Sequence, residues 1–408
     1  MQNRQSQPPK DISQHPENMR IAMVGPFGLH PNKTMSARAF GLARPLVQEG
    51  HRVKIIMPPW HRPEEADRSW QSDGVAFHYT SLTGGTAGIS RHLLRETLSW
   101  EPDVVHCFKP KAYSGLVAWW LWQFYRQRAR LVVDSDDWEG WGGWNDRAPY
   151  SLLQKRFFSW QERWGMGHCH TLTVASKALE SIAWSQGISP DKVVYLPNGA
   201  GISFRENSFH EEEIAAKRRE LGVEGQPVLL LYSRLFEFDT ARLVEILAGV
   251  KAAVPNIAIL SIGEGLFADD GVNLRRNMTH AGVLDAVIDL GWVELEQLPL
   301  LLSSVDVGIY LMEDTLLNRT KCPVKLADMI ALGVPVVAEA VGQVPEYVLT
   351  GKSGFLRAPG DGAGLLDDVV YLLRNKLERM QMAANARAHY KANFSWSRLI
   401  GRLKHVYR

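Results

Sequence analysis

Residues 321–346, KCPVKLADMIALGVPVVAEAVGQVPE, decide how this chain is read. Lys321 to Pro323 forms a loop, and the apolar spacing that follows predicts a helix from about Val324 to Leu332. A Gly-Val-Pro turn leads into a short buried strand, Val336 to Ala338, and a Gly-containing loop runs on to Glu346. A loop feeding a helix N-terminus beside a strand is how an α/β domain offers backbone N–H groups to a phosphate. Asp328 lies one turn into the helix, where a carboxylate can meet a sugar hydroxyl.

The same alternation of short apolar runs and helices extends in both directions. Downstream of residue 226, PVLLLYSRLFEFD (227–239), IAILSIGEG (257–265), VIDLGWV (287–293), VDVGIYLM (305–312) and VPVVAEA (334–340) each predict a strand and the loop after it. Upstream, RIAMVGPFG (20–28), HRVKIIMPP (51–59), DVVHCFKP (103–110), RLVVDSDDW (130–138), TLTVAS (171–176) and KVVYLPNG (192–199) do the same. SARAFGLARPLVQEG (36–50) predicts a helix that Gly50 stops, and a terminal helix starting near Ser395 carries Trp396, Leu399, Ile400, Leu403 and Val406 at helical spacing. Short buried strands separated by helices predict parallel sheets covered on both faces. Ligands of such sheets bind beyond the carboxyl ends of the strands, so two sheets facing one another predict an interdomain cleft.

Length and composition agree with this reading. A chain of 408 residues exceeds one hydrophobic core, and two domains are expected. An apolar content of 45% with 22% charged residues describes an ordinary globular protein, and a net charge of +2 argues against a dedicated nucleic-acid binder. Cys107, Cys169 and Cys322 have no metal-binding or redox spacing, which predicts free thiols in a reducing compartment. The polar stretch MQNRQSQPPKDISQHPENMR lacks an apolar segment and is read as a disordered tail, not a signal peptide. A cytoplasmic protein, with peripheral membrane contact as an open alternative, is the expected localisation.

Taken in order, PVKLADMIALGVPVV (323–337), YLPNG (195–199), YSRL (232–235), SIGEG (261–265), GWV (291–293) and FSW (394–396) resemble the two-domain nucleotide-sugar glycosyltransferases of the GT-B fold, within the large retaining family 4. The resemblance covers about residues 20–408. It implies an α/β architecture of two Rossmann-like domains with parallel sheets facing a cleft. The implied divisions are a tail (1–18), an acceptor domain (19–200), a nucleotide-sugar donor domain (201–390) and a C-terminal helix (391–408) that packs back toward the N-terminal domain. It also implies site residues. Arg234 matches an Arg that grips the donor diphosphate, and its planar fork suits phosphate. Five residues on, where a Lys is common, stands Asp239, so Lys321 and Lys325 are candidates for the missing charge. Asp328 takes the place of the second Glu of a Glu-x7-Glu pair that accepts from the ribose. The first falls at Thr320, with Glu313 and Asp314 nearby at the wrong spacing. Backbone at Gly291, Trp292 and Val293 is expected to contact the base, and Gly263 to let the chain approach the donor. GPFGLHPNK (25–33) resembles the first Gly-rich loop, in which Gly25 and Gly28 permit tight turning and close approach. Asp136 and Asp137 stand where many members have His-Asp.

The chemistry that follows is transfer of a hexose from a nucleoside diphosphate sugar to a saccharide or lipid-linked acceptor, with retention implied by the family. Arg, Lys and a helix N-terminus meet charge on the leaving diphosphate. Asp136 and Asp137 are candidates to stabilise the sugar cation, hold a hydroxyl or take a proton. Arg234, Lys325, Asp136 and Asp137 are thus the expected catalytic set. No cofactor or metal is expected, although Asp134-Ser135-Asp136 spells an Asp-x-Asp string. A catalytically silent nucleotide- or sugar-binding protein and a related phosphorylase or epimerase are the competing functions. His106 reads equally as a structural or an acceptor-site residue, and the Trp138–Trp144 loop as a sugar platform or a packed flap. LVAWWLWQFYRQRAR (116–130) and KRFFSWQERW (155–164) read as core helices or as attachments to an anionic membrane.

Overall fold

The computed structural model describes residues 18–30, 34–202 and 209–407. Most of the expected disordered tail therefore lies outside the described residues, as do residues 31–33 of the first Gly-rich loop. The chain divides into two compact units, Met1–Pro197 with Trp396–Arg408, and Asn198–Ser395. The divisions fall a few residues away from the expected 200/201 and 390/391, for a physical reason. Asn198 already belongs to the second unit, where its amide and side chain bond Cys322 and its carbonyl accepts from Tyr347 Oη.

The first unit is an eight-stranded sheet in the order β3-β4-β2-β1-β5-β6-β7-β8. Its strands are β1 (Arg20–Val24), β2 (Arg52–Met57), β3 (Ser69–Ser72), β4 (Val75–Tyr79), β5 (Val104–Phe108), β6 (Arg130–Ser135), β7 (Thr171–Val174) and β8 (Val193–Tyr195). Alternate residues of β1 serve different cores, Ile21 and Met23 on one face and Ala22 and Val24 on the other. A strand buried on both faces this way reads as a continuous apolar run. The sheet is not wholly parallel, because β3 pairs antiparallel with β4. SWQS is short, polar and mostly exposed, an edge strand that apolar patterning does not reveal.

The terminal helix, Trp396–Val406, joins this unit. Its apolar stripe enters the core that holds Ile21, Met23, Leu42 and Leu46. Gly41 makes the room: a Cβ there would stand 2.4 Å from Trp396 Cε2. Just beyond the helix, Tyr407 Oη lies 2.9 Å from His106 Nδ1.

The second unit is a fully parallel six-stranded sheet ordered β11-β10-β9-β12-β13-β14. The strands are β9 (Val228–Tyr232), β10 (Ala258–Ile262), β11 (Val287–Asp289), β12 (Val307–Tyr310), β13 (Val336–Glu339) and β14 (Gly354–Arg357). β11 stops short of the GWV segment because Gly291 turns out of the strand at φ 57°. The helix predicted after Pro323 runs Val324–Ala331.

In both sheets the order of the parallel strands reverses once, the antiparallel β3 set aside. In the first the reversal lies between β1 and β5, and in the second between β9 and β12. Loops leaving such a point diverge and open a crevice at the carboxyl ends of the strands. Gly25 and Lys109 follow one pair of these strands, and Arg234 follows the other. Topology alone therefore brings the chemistry-bearing residues to the ligand end of each sheet.

Candidate active-site residues in the two units

In the first unit the loop after β1 packs closely at its glycines. A Cβ on Gly25 would stand 2.4 Å from Met35 Sδ, and one on Gly28 3.1 Å from Tyr79 Cε1. The neighbouring charges form a closely paired buried set. Arg38 grips Asp134 at two points, Nε to Oδ1 at 2.7 Å and Nη2 to Oδ2 at 2.6 Å. Burial opposes ionisation of Asp134, but Arg38 and the bond toward His106 prevail and hold its pKa well below the usual carboxylate range. His106 is occupied on both nitrogens, by Tyr407 Oη and by Thr173 Oγ1, and burial lowers its pKa. It is a structural histidine of the sheet.

Lys109 lies beyond β5 at φ 46° and its Nζ meets three carboxylates, Asp137 at 2.8 Å, Glu139 at 3.0 Å and Asp136 at 3.1 Å. Burial alone would lower its pKa; the three acids outweigh that and hold it well above the ordinary value. Glu139 is also bonded to Lys111, and despite burial its two lysine partners bring its pKa down to about 2. Asp136 differs from its neighbours. Its Oδ2 accepts from Thr34 Oγ1 at 2.8 Å, whereas Oδ1 is buried and makes no hydrogen bond among the described residues. The Lys109 contact to Oδ1 lies outside hydrogen-bonding geometry. Burial, reinforced by Asp137 and Asp134 against the pull of Lys109, pushes the Asp136 pKa up to about 6. A buried carboxylate whose Oδ1 makes no hydrogen bond, although Lys109 Nζ lies 3.1 Å away, and whose pKa is near neutrality is a candidate to handle a hydroxyl.

Trp138 is not exposed to a ligand. It is buried, donates from Nε1 to Trp141 O at 2.8 Å, and packs so tightly on Gly143 that a Cβ there would reach 2.1 Å from Trp138 O.

In the second unit, Arg234 follows β9, and among the described residues no carboxylate pairs with its guanidinium. The backbone around it is bent to fit. Leu235 adopts φ 64°, rare for a side chain, with its N–H bonded to Ser233 Oγ. Gly263, after β10, sits at φ 111°; a Cβ there would meet Ser233 O at 2.2 Å and Lys325 Nζ at 3.3 Å. Its N–H donates to Gly291 O at 2.8 Å. Lys325, in the first turn of its helix, lies over the Tyr232 ring at 4.7 Å. Burial, aided by Arg234 and Lys321 and opposed by Glu237 and Asp328, pushes its pKa down to about 7. A cavity of about 740 Å³ opens beside these glycines, lined by Gly263, Glu264, Phe267, Asp289 and Gly291 among others. Trp292 is exposed and Val293 half-buried next to it.

Other expected residues are already engaged. Asp328 is buried, its Oδ1 accepting from Gly201 N at 2.7 Å and Ile202 N at 3.2 Å, and it is hydrogen-bonded to Tyr232. A ribose contact there must compete with those partners. Lys321 Nζ lies 3.3 Å from Glu237 Oε1 and 3.7 Å from the Phe236 ring centroid. Thr320 Oγ1 turns back onto Leu316 and Leu317 carbonyls. Asp314 pairs with Arg319, and Asp239 caps the Thr240–Ala253 helix by accepting from Ala241 N. That cap explains why an acid suits the position where a Lys is common. Sequence reasoning missed Arg38, Glu139 and Glu237. Glu237 stands three residues after Arg234, and its buried Oε2 makes no hydrogen bond among the described residues.

Residues 34–199 match the family model described as "Glycosyl transferase 4-like domain", and residues 226–375 match "Glycosyl transferases group 1". Among curated proteins, the GDP-mannose-dependent monoacylated alpha-(1-6)-phosphatidylinositol monomannoside mannosyltransferase of Corynebacterium glutamicum is 29% identical over 218 residues, 52% of this chain and 55% of that protein. The matched region thus spans about half of that relative's length. The phosphatidyl-myo-inositol mannosyltransferase of Mycobacterium leprae is 22% identical over 400 residues, 95% of this chain and 96% of the relative. Among solved structures, Anabaena Alr3699/HepE in complex with UDP and glucose shares the fold, with TM-score 0.71, 17% identity and coverage of 95% of this chain and 99% of the other. Sucrose-phosphate synthase from Thermosynechococcus elongatus does so at TM-score 0.71, 16% identity and coverage of 96% and 98%.

Proposed function

This chain belongs to the family-4-like glycosyltransferases of the GT-B fold, and we propose that it moves a hexose from a nucleoside diphosphate sugar to a saccharide or lipid-linked acceptor, with retention of configuration. The observation that carries the reading is Arg234 without an acidic partner among the described residues, together with Lys325 against the open face of Gly263. Two cationic groups beside a side-chain-free stretch of backbone suit a diphosphate, whose charge grows as the sugar leaves.

In the reaction the bond from anomeric carbon to phosphate oxygen breaks, a bond to the acceptor oxygen forms, and the acceptor proton passes to the departing phosphate. Arg234 and Lys325 stabilise the diphosphate and the first turn of the Val324–Ala331 helix adds its N–H groups. Gly263, Gly291, Trp292 and Val293 border the space for the nucleoside. Asp136 is the carboxylate that takes a substrate hydroxyl, which must reach Oδ1 beside Lys109 Nζ, and Thr34 and Lys109 fix its position. No cofactor takes part in this scheme.

Relatives named for GDP-mannose and a neighbour holding UDP and glucose set the order of the donor panel. Calorimetry with GDP-mannose, UDP-glucose and ADP-glucose, followed by product analysis with sugar and lipid acceptors, tests the reading. Binding of one donor with transfer supports it. Binding without turnover on any acceptor identifies a silent binding protein instead.

A further inference from the structure

The outer face of the Leu152–Gly167 helix carries an unusual group of residues for a protein surface. Leu152, Leu153, Phe157 and Trp160 are all exposed, Leu153 to 77%, and Phe157 and Trp160 stack with centroids 5.8 Å apart. The Ala112–Phe124 helix packs beside it and exposes Trp120 and Phe124, 4.9 Å apart. Large apolar side chains clustered on a surface mark a contact site.

The exposed charges around them are mainly basic; the acid beside them, Asp146, lies 3.9 Å from Lys155 Nζ. Arg156 and Arg163 rise from the same helix face, and Arg126 and Arg128 follow the neighbouring helix. All four are exposed, and among the described residues none is paired with a carboxylate. The acidic residue of the Leu152–Gly167 helix, Glu162, is fully buried and points inward. Arg156 and Arg163 also share a pocket of about 500 Å³ with Trp141, Ser159, Trp160 and Trp164. Indole walls with two guanidinium groups make a receptacle for a phosphate at a boundary between polar and apolar media.

We propose that this face docks on an anionic lipid bilayer, with the Trp141–Trp160–Trp164 pocket seating a lipid headgroup phosphate between Arg156 and Arg163. Charge complementarity selects this occupant. A second copy of the chain would set arginines against arginines across a two-fold axis, and a neutral apolar partner would leave them unpaired. Exposed Trp, Phe and Leu enter the headgroup boundary while the arginines remain with the phosphates.

The docking helix is also tied to the acidic segment of the first unit. On its inner face Glu162 Oε1 accepts from Glu139 N at 3.0 Å, and Gln161 Oε1 accepts from Ala112 N at 2.7 Å. The face that meets lipid therefore backs directly onto the segment that carries Asp136 and Asp137. This face shares no residue with the proposed diphosphate site of the second unit.

Flotation of the full chain with vesicles of phosphatidylcholine, alone or mixed with phosphatidylglycerol, tests it. Wild type is expected to float with the mixed vesicles, to be released by added salt, and to stay behind with phosphatidylcholine alone. Arg156→Gln/Arg163→Gln is expected to lower the partition coefficient roughly 25-fold, about fivefold per charge, and Leu153→Ser/Phe157→Ser to abolish flotation. Both variants should keep the wild-type circular dichroism spectrum and melting temperature. Equal flotation with both vesicle types, flotation with neither, or unchanged binding by the arginine variant overturns the proposal. So does light scattering that shows a dimer dispersed by the same substitutions. Nucleotide calorimetry on the same samples keeps the two readings distinct: vesicle binding by a chain that takes no nucleotide would sustain this face and defeat the donor assignment.

Discussion

Lys325 Nζ packs against the open face of Gly263, 3.3 Å from where a Cβ would stand. The contact joins the loop after β10 to the first turn of the Val324–Ala331 helix, at a distance that a side chain on residue 263 would crowd. Gly263→Ala must both move Ser233 O, which a Cβ would approach to 2.2 Å, and hold φ near 111°. Strain of about 1–3 kcal/mol is expected. The melting temperature should fall, and the affinity for UDP or GDP should fall by more than the stability loss explains. A melt and a titration on the same preparation check both.

The lowered Lys325 pKa gives donor binding a pH dependence of definite sign. Its value near 7 lies below the ordinary 10.5, so the lysine is cationic below pH 7 and largely neutral above it. A diphosphate favours the cation. Affinity should therefore drop as pH rises from about 6.5 to 8.5, and binding at pH 8 should draw a proton from buffer. Calorimetry in two buffers of different ionisation enthalpy measures that uptake. The Lys325→Met variant should show weaker binding with both the slope and the uptake removed.

Asp136 makes the complementary prediction for turnover. With its pKa raised to about 6, it is protonated below that pH and an acceptor above it. The rate should rise with pH through about 6, and Asp136→Asn should erase this limb while lowering kcat roughly 10- to 100-fold, as loss of a hydrogen bond to a charged group does. Nucleotide affinity should stay within about twofold of wild type. A rate–pH profile paired with calorimetry separates a hydroxyl-handling role from a merely structural one.

Arg38 and Asp134 form a fully buried two-point ion pair inside the first sheet. Arg38→Leu leaves a buried carboxylate uncompensated and should cost about 3–5 kcal/mol. Because the pair holds Asp134 ionised, the loss should be largest at neutral pH and shrink as acid protonates the carboxylate in the variant. Chemical denaturation at pH 7 and pH 5 checks the magnitude and the trend.

The strands, and the loop ends that carry Arg234 and Lys325, were legible because their signals are local. IAMV and VLLLY announce doubly buried strands, and Arg234 and Lys325 follow strand and loop at fixed offsets. The polar edge strand β3 carried no such pattern. Contacts that span the chain were also illegible: Lys109 meets Asp136, Asp137 and Glu139 roughly thirty residues away, and Lys321 meets Glu237 across 84 positions. Asp328 could be named as a carboxylate at the right place, but not as the acceptor of the Gly201 and Ile202 amides. Those partners depend on how the chain enters the unit, which no spacing records.

The most direct measurement is calorimetric titration of UDP and GDP into wild type and Arg234→Ala. The account predicts that wild type binds at least one of them and that the variant, with an unchanged melt, binds it roughly 10- to 100-fold more weakly, as loss of a charged hydrogen bond requires. Equal affinity in a normally folded Arg234→Ala protein would contradict the assignment of the second unit as the diphosphate site.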